Sequence, residues 1–94
     1  MAMTTRNVKL HTAWVNATVY ALDAMVLGSD NYAYYCILAH TSATGVKGRP
    51  TDGTAWATYW AVCTGTATYP WSFVQGLVTA AAGDEVLIWA NGTY

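Results

Sequence analysis

Apolar residues in this chain come in short runs separated by glycine, proline and small polar residues, and the runs are rich in β-branched and aromatic side chains. The first run, WVNATVYALDAMVL at 14–27, reads as a short strand, a turn near 21–24 and a second strand ending at Gly28. A helix over 13–25 is the competing reading, because Ala, Leu and Met are good helix formers and the period is ambiguous. Val15, Thr18, Val19 and Tyr20 favour a pleated surface, so strands are preferred. Gly28-Ser29-Asp30-Asn31 is a turn cluster between two apolar runs, the usual mark of a hairpin. In its far arm, 32–39, Tyr35, Ile37 and Ala39 alternate with Tyr34, Cys36 and Leu38, so both faces are apolar and a central strand is expected.

Residues 41–54 hold three glycines and Pro50 and read as a long loop. A strand over 56–62 follows, with Trp56, Thr58, Trp60 and Val62 on one side and Ala57, Tyr59 and Ala61 on the other. Strands over 71–79 and 85–90 then flank 80–84 as a terminal β hairpin within 63–94. Residues 1–10 lack an apolar period and read as a flexible or partner-bound arm. The expected fold class is all-β with less than about a tenth helix. It would be a small antiparallel sheet or compact β-sandwich-like domain carrying a long Gly/Pro loop, with its core in 14–62.

Composition narrows what such a domain can do. Ninety-four residues build one core, so 1–94 is a single domain. The chain is 54% hydrophobic and 14% aromatic but only 10% charged, against about a quarter charged in ordinary domains. Few charges remain to wet the exterior. Thr, Ser, Asn and Gly must coat it, or apolar surface must be buried against other copies or another protein; a mixture weighted towards assembly is expected. A net charge of −1 offers no footprint for a phosphate backbone or an anionic membrane, so nucleic acid is not an expected partner. The uncharged stretch 54–83 is broken by Thr, Gly, Pro, Ser and Gln and makes a poor membrane-spanning helix. Arg6 and Lys9 have no apolar run behind them, so a secretion signal is not expected and synthesis is placed in the cytoplasm.

Candidate chemistry is sparse. His11 and His40 lack partners at metal-ligand spacing, so no metal or cofactor is expected. His40 reads as a structural hydrogen-bonder at the loop start and His11 as a surface or interface residue. Asp84 and Glu85 are adjacent, so on a strand they point to opposite faces and cannot work as an acid/base pair. No Gly-x-Ser-x-Gly elbow occurs, and 45–50 lacks the spacing of a phosphate loop. No catalytic residue is expected. Cys36 and Cys63, at the ends of neighbouring strands, are either a disulfide or two buried thiols.

The aromatic residues divide between core filling and recognition. Trp60, Tyr35 and Trp89 read as core. Trp56, Tyr59 and Tyr34 are the candidate sugar platform, where flat rings could stack on pyranose faces. Trp71 after Pro70, with Phe73, Val86, Ile88 and Trp89, reads as a subunit contact. The alternative is that these five complete the domain's own second sheet.

Tyr20, Val26, residues 32–36, Ala39-His40-Thr41-Ser42, Pro50, Gly53, Trp56 and Trp60 follow one another in a recognisable order. Over 18–62 the chain resembles the aromatic-rich modules of the chitin-binding type 3 class, and more closely the related repeats of bacteriophage tail-fibre and virion appendage proteins. The resemblance implies a structural virion protein, a head-decorating or tail-appendage subunit, partnered by itself and other virion proteins. It also implies a possible cell-surface polysaccharide ligand, and with it the alternative of a stand-alone carbohydrate-binding module.

Overall fold

A computed structural model describes residues 4–80 and 84–88. In chain order its elements begin with β1 (Thr4–Val8), β2 (Val19–Tyr20), β3 (Met25–Leu27), β4 (Ala33–Cys36) and β5 (His40–Thr41). They continue with α1 (Trp56–Tyr59), β6 (Trp60–Val62), α2 (Phe73–Thr79) and β7 (Asp84–Ile88). Strand is commoner than helix, in three small sheets: β3-β4-β6 and β2-β5 are antiparallel, and β1-β7 is parallel.

The 14–27 run folds as two short strands around a turn, and 28–32 closes the β3–β4 hairpin. Asn31 takes φ 64°, a left-handed conformation that Asn tolerates. The Asp30 carboxylate accepts from Tyr32 N at 3.0 Å and from the Tyr34 hydroxyl at 2.8 Å, which ties the turn to the strand it launches. β4 is the central strand, with Tyr34 opposite Val26 and Val62 and Cys36 opposite Trp60. Those partners share one face, where Tyr20, Val26, Tyr34, Cys36 and Trp60 form the buried core. Rings of about 150–250 Å², at about 25 cal/mol per Å², give Trp60 an upper-bound burial term of roughly 4–6 kcal/mol.

Alternation sends Ala33, Tyr35 and Cys63 to the other face of this sheet. Cys36 and Cys63 are free, buried thiols. The register explains why they do not bridge: Cys36 pairs with Trp60, whereas Cys63 N donates to Ala33 O at 2.9 Å, three rungs away and facing the opposite side. Burial pushes the Cys63 thiol up to about 12 and raises Cys36 as well, which keeps both protonated and unreactive.

Three expectations are corrected. The strand expected over 56–62 opens with the four-residue helix α1, because Trp56, Tyr59 and Trp60 also have helical spacing and the turn lets Trp56 and Tyr59 pack on the core. The strand expected over 71–79 keeps only a bridge from Trp71 to Val8. Ser72 then starts the seven-residue α2, so helix exceeds the expected tenth. The terminal hairpin is replaced by α2 and β7, and β7 runs parallel to β1 with Thr4 opposite Asp84 and Val8 opposite Ile88. Residues 4–8 of the supposed arm thus form a strand that is held on both sides. Its second edge is closed by Asn7 N to Gly65 O, Trp71 N to Asn7 O and Lys9 N to Trp71 O, all between 2.7 and 3.0 Å.

Candidate docking surface

Helix α2 begins with a reciprocal cap. Ser72 Oγ accepts from Gln75 N at 3.2 Å while Gln75 Oε1 accepts from Ser72 N at 2.7 Å. The same Gln75 side chain reaches into the protein. Its Oε1 accepts from Ala33 N at 2.7 Å and its Nε2 donates to Cys63 O at 3.4 Å, which satisfies the end of the central sheet. Gln75 is accordingly 1% exposed. Ser72 Oγ also donates to Asn31 O at 2.7 Å and so fixes α2 to the hairpin turn. One turn position on, Gly76 lies against β1, and a Cβ there would sit 2.9 Å from Val8 Cγ2. Only glycine lets the helix come so close.

With Gln75 and Gly76 inward, the 3.6-residue period turns Phe73, Val74, Leu77 and Val78 outward. Their exposures are 37%, 37%, 88% and 68%. The helix is therefore amphipathic in the inverted sense, with its most buried side chain polar and its most exposed side chains apolar. Val86 and Ile88 on β7 continue the apolar surface, and together with Val8, Phe73, Gly76 and Leu77 they line a groove of about 380 Å³. Register places Arg6 beside Val86, and an Arg6–Asp84 ion pair at 3.6 Å stands at one end of the strand pair. Among the described residues no charged side chain lines the groove itself.

The residues expected to form a subunit contact are thus only partly brought together. Phe73, Val86 and Ile88 share the groove, while Trp89 lies outside the described residues. Trp71 is 5% exposed and belongs to the interior. Gly65, at φ +83°, lies flat on its ring, where a Cβ would come within 2.9 Å. The Arg6 guanidinium covers the ring at 5.3 Å from its centroid. Leu77, Val74 and Val78 were not singled out in sequence, although Ser72 and Gln75 at capping-box spacing mark the helix that orients them.

The candidate sugar platform does not form a flat strip. Tyr34 is 4% exposed, and burial together with the Asp30 hydrogen bond holds its phenol well above the usual range. Trp56 meets it edge-on at 5.4 Å, and Tyr59 leans on His40 at 4.5 Å. All three rings are turned towards the core, with Trp56 and Tyr59 half-buried. On the opposite face Tyr35 stacks on Tyr69 at 3.8 Å, and the Tyr69 hydroxyl donates to Asp23 Oδ1 at 2.9 Å.

The histidines are structural. His40 Nδ1 donates to Leu38 O at 2.7 Å and shapes the start of the loop. His11 is buried, not superficial: its Nε2 donates to Pro70 O at 3.0 Å, and desolvation lowers its pKa, with Lys9 adding to the effect. Among the described residues no three His, Cys, Asp or Glu side chains gather to hold a metal, and no helix is long and apolar enough to cross a membrane. No family model, curated protein or solved structure matches this chain.

Proposed function

We propose that this protein is a structural virion subunit of a bacteriophage, a head-decorating or tail-appendage component that works by docking its α2–β7 face onto neighbouring subunits. The inverted helix α2 carries this reading: a small domain that buries Gln75 on this helix while leaving Leu77 88% exposed has a use for that surface. Covering about 600 Å² of apolar surface at about 25 cal/mol per Å² is worth on the order of 15 kcal/mol before the costs of association, against about 0–1 kcal/mol for an exposed ion pair such as Arg6–Asp84. The apolar term decides what this face does. The virion setting is supported by the resemblance of 18–62 to phage appendage repeats and by the 10% charge content.

The test is protein analysis of gradient-purified particles from an infected culture of the source. The chain is expected in fixed stoichiometry with the other particle proteins, and a Leu77→Glu chain is expected to be lost from particles. Recovery of the wild-type chain only in the unassembled fraction overturns the proposal. Sugar recognition is the second reading, favoured by the partial exposure of Trp56 and Tyr59 beside the 42–55 loop. Retention on chitin or another polysaccharide, abolished by Trp56→Ala in a folded chain, would establish it.

A further inference from the structure

We infer that the occupant of the α2–β7 face is a second copy of this chain, docked about a two-fold axis so that Leu77 of each copy enters the Val86–Ile88 groove of the other. This rests on the assembly reading above and names its partner. A two-fold contact brings the same patch together with itself, so the patch must carry both a projection and a recess and must not repel its own image. Both are present on one face. Leu77 projects furthest, at 88% exposed, beside a groove of about 380 Å³ whose floor is Gly76 and Val8.

The electrostatics suit a copy better than a stranger. Among the described residues the groove lining is uncharged, Arg6 and Asp84 pair with one another at 3.6 Å, and Lys9 lies beyond Phe73 and Val74 at the edge of the face. The groove therefore meets its own image without like-charge repulsion. Arg6 and Asp84 would fall at the rim, where interfaces keep their polar groups.

Size agrees as well. Phe73, Val74, Leu77, Val78, Val86 and Ile88 together leave on the order of 600 Å² of apolar surface in water, close to the apolar part of the ~800 Å² per partner in a standard stable interface. The strands ask for the same cover. Parallel strands such as β1 and β7 are normally buried on both faces, and Val86 and Ile88 leave one face of β7 open. The face is also pre-shaped, because Gln75, Ser72 and Gly76 hold α2 from within and little ordering is left for association.

Sedimentation velocity on the full chain, from about 5 to 200 µM, tests the inference. The wild type is expected at twice the chain mass of 10.1 kDa. Leu77→Glu is expected to raise the dissociation constant at least ~100-fold with an unchanged circular dichroism spectrum, as buried hot-spot residues do. Leu22→Glu, at a 61% exposed position off this face, should leave the dimer intact. If Leu77→Glu fails to fold, Val78→Glu, at a position 68% exposed, reads the same outcome. A dimer indifferent to both face variants, or an open-ended polymer, overturns the two-fold contact. A wild-type monomer throughout overturns it too. If that monomer still joins purified particles in a Leu77-dependent way, the assembly reading survives without the self-contact, and if it does not, both fall.

Discussion

In the central sheet, β4 hides Tyr34 and Cys36 and Trp60 lies 1% exposed beneath them; in the terminal layer, α2 hides Gln75 and turns Leu77 and Val78 to water. The first region is held by area, because rings removed from water supply its stabilisation. The second is held by geometry. Three hydrogen bonds from one amide and one close backbone approach fix a helix whose Leu77 and Val78 bury little in the isolated monomer. Where a position draws its energy therefore differs between the layers, and so does what its loss should cost.

The largest effect is expected at the ring core. Trp60→Ala should destabilise the fold by about 3–5 kcal/mol, read as a lower urea midpoint, because the lost area leaves a cavity that short strands cannot collapse into. A loss below about 1 kcal/mol would show that the core does not rest on this ring. Next comes Gln75→Leu, which conserves size but leaves Ala33 N, Ser72 N and Cys63 O without their partner. Its expected cost is about 2–4 kcal/mol. If that variant matched the wild type, the terminal layer would be apolar-held after all and the contrast would collapse.

A smaller effect is expected from pH. His11 has a folded-state pKa below its ordinary 6.5, so the unfolded chain binds its proton more readily. The stability this provides is fully present above about pH 6.5 and is lost as pH falls towards the folded value. Urea midpoints for the wild type should fall between pH 7.5 and 5.5, and His11→Gln should flatten the difference. A steeper decline in that variant would place the sensitivity elsewhere. The smallest effect on folding is expected at the most exposed apolar site: Leu77→Glu should change monomer stability by no more than about 0.5 kcal/mol, measured at concentrations too low for association.

The central sheet was legible in the sequence because its signals are local. Gly28 to Asn31 announces a tight turn, and apolar residues on both sides of 32–38 announce a strand with neighbours. The terminal layer was not, because its determinants lie far apart. Phe73, Gln75 and Leu77 alternate as well in a strand as they space in a helix, and only Ser72 with Gln75 breaks the tie. That Gln75 faces inward follows from Ala33, 42 positions away, and that Trp71 faces inward follows from Gly65 and Arg6 lying across its ring. Residues 4–8 carry almost no apolar pattern because backbone pairing holds them, with Asn7 and Val8 the buried ones. The sugar platform misled for a related reason: Tyr34, Trp56 and Tyr59 do lie near one another, but β4 buries the Tyr34 ring and α1 packs Trp56 and Tyr59 on the core.

The pairing of β1 with β7 also sets an order of events in time. Thr5 and Glu85 are 80 residues apart, so at about 5–20 residues per second β1 leaves the ribosome several seconds before the strand it needs. The β3–β4 hairpin, whose partners are neighbours in the chain, has closed long before then. Until β7 emerges, Val86 and Ile88, two of the six residues that line the groove among the described residues, are not yet in place and the groove is incomplete. Under the proposed two-fold contact, nascent chains crowded on one message would therefore not couple through this face before β7 has paired with β1.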